Sequence, residues 1–185
     1  VFMFVEDYLN VNGIVEVLPY AGFSVVSTAL PSDKNEFTYT YTDYDHLVDC
    51  PIEIGNQEVF DFEAAGVNHT VAIYGDGNYS IPDLKRDMAK IIEEETKVFG
   101  QNPNEDYLFI IHNVVDGQGG LEHKNSTTLS VNRWTYGGSN YLKFLNLVAH
   151  EYFHLWNVKR IRPIELGPFD YNQENYTDLL WVMEG

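Results

Sequence analysis

Hydrophobic and polar positions first fall into short runs along this chain. "GIVEVLP" (13–19), "SVVSTAL" (24–30), "EFTYTYTDY" (36–44) and "TVAIYG" (70–75) are rich in Val, Ile, Thr and Tyr, with Gly, Pro, Asn and Asp between them. Such runs predict strands, and the aromatic–polar alternation of 36–44 suits a sheet with one buried face. The period then lengthens. Leu84, Met88, Ile91, Ile92 and Phe99 recur at helical spacing. Ser80 is placed to cap this helix, Asp83 completes an S-x-x-D box, Pro82 is tolerated in the first turn and Gly100 ends it. "YLFIIHN" (107–113) reads as a buried strand, "DGQGG" (116–120) as a turn and "STTLSV" (126–131) as a further strand. The segment 139–159 reads as a second long helix, capped by Ser139 and apolar on most sides, and therefore buried. An irregular connection is expected over 160–176, and "YTDLLWVMEG" starts another helix. These elements predict an α+β fold: a β-rich front over 1–75, then the first part of a second unit over 76–185.

Composition narrows the function classes. A net charge of −17, from 28 acidic and 11 basic residues, leaves no broad basic face for a nucleic-acid partner. No run approaches the roughly 20 apolar residues of a membrane span. Cys50 is the only cysteine, so no intrachain disulfide forms. Sequons begin at Asn68, Asn78, Asn125 and Asn175 and matter only in a host that glycosylates them. The chain opens Val1-Phe2-Met3-Phe4, without an initiator methionine or a signal-peptide layout.

The chemistry concentrates in "LVAHEYFHLW" (147–156), which sets His150 and His154 four residues apart. At that spacing two imidazoles share one helix face, with Cβ atoms roughly 5–6 Å apart, and can converge on one Zn²⁺. Glu151 projects roughly 100° away around the helix, so it flanks the metal instead of joining the pair. Burying a carboxylate on so apolar a helix is costly unless it is partnered or functional. The H-E-x-x-H pattern therefore gives it the base role. A third ligand must come from another element. Glu184, which follows "LLWVM", is the most attractive candidate; His46, His69, His112 and His123 sit in or beside strand-like runs and are weaker.

These residues resemble the glycyl aminopeptidase family of zinc metallopeptidases, which are gluzincins. The resemblance rests on the run from Leu147 to Gly185, on "YDHLVDCPIEIG" (44–55), on "GGLEHKNSTTL" (119–129) and on "NVKRIRP" (157–163). It implies an N-terminal β domain, a thermolysin-like catalytic domain and often a following PDZ domain. It also implies Zn²⁺ held by His150, His154 and Glu184, with Glu151 as the catalytic base. Gly119-Gly120-Leu121-Glu122-His123 is similar to the G-x-M-E-N motif of aminopeptidase N type enzymes. Carried over, that motif gives Glu122 the substrate's α-amino group and Gly119 and Gly120 a backbone edge beside the peptide. The implied reaction is hydrolysis of N-terminal peptide bonds by zinc-activated water, with a preference for small residues such as Gly or Ala. The implied partner is a peptide with a free N-terminus, and the family leans toward an extracytoplasmic setting. The tyrosine or histidine that steadies the oxyanion is expected beyond Gly185, so the 185 residues alone are expected to be incomplete and inactive, with one Zn²⁺ per chain implied for the complete protein and metal binding by these residues alone left open. Two other readings stay open: a metallo-endopeptidase on this scaffold, and a non-catalytic β-rich peptide-binding module with a vestigial metal site. The cluster Lys159, Arg160 and Arg162 is expected to pair with local acidic residues at the helix C-terminus.

Overall fold

The computed structural model describes residues 2–185. Its centre is a mixed five-stranded sheet of β5 (Glu58–Ala64), β6 (Val67–Tyr74), β7 (Asp106–Val114), β9 (Ser126–Asn132) and β8 (Gln118–Glu122), in that spatial order. β6, β7 and β9 run parallel, and β5 and β8 flank them antiparallel. A parallel pair needs a crossover, and α2 (Ile81–Phe99) provides it between β6 and β7. α2 buries Leu84, Met88 and Ile92 and stops at Gly100, whose left-handed φ of 84° suits glycine. Ser80 is the N-cap residue, but no side-chain cap bond forms; the Asp83 carboxylate pairs with Arg86.

α3 (Gly138–Phe153) packs with α2 over the same sheet face. Val71, Ile73, Phe109, Ile111 and Leu129 meet Met88, Phe144, Val148 and Tyr152 there to form the main core. The strand run 107–113 is buried on both faces, as its unbroken apolar sequence requires. The opposite face carries Ala72, Leu108 and Ile110, covered by Ala29 of the front portion.

That front consists of β1 (Gly13–Glu16) paired with β3 (Thr38–Tyr41), β2 (Val25–Thr28) paired with β4 (Ile52–Gly55), and the short α1 (Tyr44–Val48). β5 and β6 belong to the five-stranded sheet, so residues 58–74 share a core with 106–132. The change of period near residue 75 marks the entry to α2 within that unit. The closing helix is α4 (Leu180–Glu184). Among the described residues, no helix is long and apolar enough to cross a membrane.

Three local expectations are corrected. Ser139 does not cap α3; the N-cap is Gly137, with no side-chain bond. α3 also ends at Phe153, not 159, because the following chain closes a compact loop: Lys159 N–H donates to His154 O at 3.0 Å and Ile161 N–H to Trp156 O at 2.7 Å. Finally, the glycine run expected as a turn is mostly strand, since β8 starts at Gln118 and β9 supplies its partners.

Candidate metal and peptide site

α3 presents His150 and His154 toward one point, their Nε2 atoms 3.2 Å apart. The His154 Nδ1–H donates to the Asn157 carbonyl at 2.8 Å, which turns the Nε2 lone pair inward. Glu184 reaches both rings from α4, its Oε2 3.2 Å from His150 Nε2 and 3.5 Å from His154 Nε2. The Asn157 side-chain amide donates to Val182 O at 3.2 Å, tying α4 to the loop that follows α3. His154 is buried while His150 and Glu184 are exposed, leaving one side of the cluster open. Two imidazole nitrogens and a carboxylate oxygen, all within 4.8 Å of one another, form the donor set that suits Zn²⁺ with one position free.

Glu151 is only 4 % exposed, and its Oε2 has no hydrogen-bond partner. A buried carboxylate oxygen without a partner is costly and fits a group that meets a water or a cation. Burial pushes its pKa up to about 7; His150 opposes the rise, and Glu122 and Glu184 add to it. Glu122, Glu151 and His154 also bring ligand atoms within 4.8 Å of one another.

β8 forms the roof of the site and is the sheet's edge strand. The His123 N–H donates to Ser126 O at 2.8 Å across the hairpin end. By antiparallel alternation, Leu121 and Gly119 then bond to β9, and the peptide groups of Glu122, Gly120 and Gln118 face outward. The same alternation puts the side-chain positions of Gln118, Gly120 and Glu122 on the face toward α3. Gly120 lies directly over Glu151: a Cβ there would overlap the Glu151 carboxyl group. Gly119, whose peptide groups turn to Ser130, meets nothing where a Cβ would be.

The other histidines are engaged elsewhere. His69 is fully buried, its Nε2 2.9 Å from Tyr152 Oη, and burial pulls its pKa down to about 4. His112 pairs with Glu53 at 2.8 Å, His46 contacts Thr42, and His123 contacts Asp49 at 3.4 Å. Asp49 also takes Lys159 at 2.9 Å and the Lys124 N–H at 2.8 Å. Burial favours its neutral form, but His123, Lys159 and the Lys124 N–H outweigh that and hold its pKa below the usual carboxylate range. The partner of Lys159 is thus 110 residues away in sequence and not local. Arg160 donates to the carbonyls of Leu155 and Lys124 and to Asn104. Asp49, Asn104, His123, Lys159 and Arg160 line a cavity of about 650 Å³ that Glu122 also borders.

The Asn157 carbonyl and the outward edge at Gln118 carry no sequence signal, since both depend on how the backbone turns. The Glu151 contact explains the glycine at 120, for which spacing alone gives no reason.

Comparison with known proteins agrees at both ends of the chain. The M61 glycyl aminopeptidase family matches residues 143–185, and the peptidase M61 N-terminal domain matches residues 1–56. An aminopeptidase N family protein from Idiomarina loihiensis is similar in structure, with a TM-score of 0.90 and 31% identity over 97% of this chain and 33% of its own. Legionella pneumophila aminopeptidase A, solved with aspartic acid, shares the fold at a TM-score of 0.52 and 15% identity, over 73% of this chain and 18% of its own. The chain therefore spans about a third or less of these relatives. No curated protein matches the sequence significantly.

Proposed function

Because the chain belongs to the M61 glycyl aminopeptidase family, we propose that it supplies the metal-binding and amine-anchoring part of a zinc aminopeptidase acting on small N-terminal residues such as Gly or Ala. The observation that carries this reading is the closeness of Glu122, Glu151 and His154, whose ligand atoms lie within 4.8 Å of one another. A substrate α-amino group is about 2.5 Å from its own carbonyl carbon. With the ammonium on Glu122, one residue spans the gap and its carbonyl comes to rest beside Glu151. That geometry favours removal of single N-terminal residues over internal cleavage.

His150, His154 and Glu184 would hold the zinc. When bound there, it supplies Lewis acidity and lowers the pKa of a water toward about 7. Glu151 accepts the proton of the attacking water and delivers it to the leaving amine nitrogen. Its burial suits that exchange, because a carboxyl with a raised pKa both takes and releases a proton near neutrality. Glu122 pairs with the substrate ammonium. The outward peptide groups of Gly120 receive the substrate backbone as an added strand.

The test is release of free glycine or alanine from unblocked peptides by the full-length protein, together with metal analysis. About one zinc per chain and release confined to unblocked peptides are expected. Equal cleavage of N-acetylated peptides would support an endopeptidase, and the lack of both metal and hydrolysis would support a binding module.

A further inference from the structure

The groove between β8 and α3 does not end at the metal-binding residues. β8 and α3 advance side by side toward Glu122 and His150, so their starts lie together at the far end. There Gln118, Trp134, Asn140, Lys143, Phe144 and Leu147 line a second cavity, of about 250 Å³. Lys143 and Leu147 precede Glu151 by eight and four residues on α3. They therefore share its side of the helix and connect this cavity to the site. Lys143 is the only charged residue lining the cavity. Among the described residues it makes no ion pair, in a chain whose net charge is −17.

Direction and length follow from the strand edge. A peptide paired antiparallel with β8, its first residue at Glu122, must run from Gly120 toward Gln118. Three residues beyond the scissile carbonyl cover roughly 10 Å at about 3.3 Å each. The eight helical residues from Glu151 back to Lys143 cover roughly 12 Å. The fourth residue of the substrate therefore arrives within reach of the Lys143 ammonium, and the apolar walls from Trp134, Phe144 and Leu147 strengthen a charge contact made there.

We infer that the cavity at Lys143 is a distal substrate subsite that takes a carboxylate about three residues past the cleaved bond, which makes short oligopeptides the substrate class. Tetrapeptides with a free C-terminus satisfy Glu122 and Lys143 at once; dipeptides cannot. The inference rests on the aminopeptidase reading.

The test measures kcat/KM of the full-length protein on an alanyl tetrapeptide as free acid and as C-terminal amide, with wild-type protein and with Lys143→Gln. The wild type should favour the acid by about tenfold, the scale of a partly exposed charge-assisted contact, and Lys143→Gln should bring the acid-to-amide ratio close to one. A third peptide, amidated but carrying Asp at the fourth position, tests whether a side-chain carboxylate serves as well: an unrecovered rate supports short free peptides as the substrate class, and a recovered one overturns that class while keeping the subsite. Alanine release with a ratio near one in the wild type, or with the preference intact in Lys143→Gln, overturns the subsite and leaves the aminopeptidase reading standing. No release from any of the peptides removes the reading and the subsite together.

Discussion

Gly120 and Glu151 are in direct contact, the backbone of the edge strand lying where it leaves no room for a side chain above the carboxyl group. The roof and floor of the site are therefore fitted to each other at one residue. Gly120→Ala should fold normally, since Gly120 is an exposed strand position with an ordinary φ. It should nevertheless displace Glu151 and lower kcat on the order of 10²-fold, the usual penalty for a misplaced catalytic group. Circular dichroism and zinc content should match the wild type, and full activity would show that the carboxyl group tolerates the shift.

Glu151→Gln keeps the side chain's shape and removes its capacity to carry a proton. In the full-length protein it should retain zinc and lose activity on the order of 10²- to 10⁴-fold. Near-wild-type turnover on an alanyl substrate would rule out Glu151 as the base.

Glu122→Ala should act on one class of substrate. Losing a charge-assisted contact to the ammonium predicts a fall of about 10- to 100-fold in kcat/KM on unblocked peptides. Any residual cleavage of an acetylated peptide should fall much less. Equal losses on both would make Glu122 a structural residue.

Chelation should do more than stop turnover. α4 has only five residues and meets α3 through Glu184 and the loop after α3 through the Asn157–Val182 bond. A metal bound across these elements stabilises the folded state by mass action. Removing it should lower the Tm of the full-length protein by about 3 °C or more, whereas Glu184→Gln should show a smaller response to the chelator. Identical responses would place the third ligand elsewhere.

Glu95 gives a pH-dependent prediction that does not involve the proposed metal ligands. Burial pushes its pKa up to about 8, and its Oε2 has no partner. Between the unfolded value near 4.5 and about 8, the folded protein holds a proton that the unfolded chain has released, so stability falls as pH rises through that window. Glu95→Gln has no such proton to lose. Its advantage over the wild type should grow from pH 5 to pH 8, reaching on the order of 2 kcal/mol in urea unfolding. A constant difference across that range would contradict the burial argument.

Much of this was legible in the sequence because period and chemistry agree there. Leu84, Met88 and Ile92 mark the buried stripe of α2, the run 107–113 marks a strand covered on both faces, and the spacing of His150 and His154 fixes a shared direction. The meeting of Glu184 with those histidines was foreshadowed by a carboxylate placed after "LLWVM". β8 was not legible, since glycines disfavour strands locally and only pairing with β9 makes one. The end of α3 was hidden for a related reason: 154–159 holds no Gly or Pro and keeps Leu155, Trp156 and Val158, while the bonds that divert it are made by the backbone.

Asp49 carries a consequence of its own. This single carboxylate, on the residue that ends α1 in the front portion, holds the turn after Glu122 through His123 and Lys124 and the loop after α3 through Lys159. The front portion is thus part of the jig that sets the distance between Glu122 on β8 and the loop after α3, so it cannot be exchanged for another β module as interchangeable packaging. A graft or truncation that left His150, His154 and Glu184 intact, but lost Asp49, would free the turn after Glu122 from the loop after α3 and bend the ruler between them.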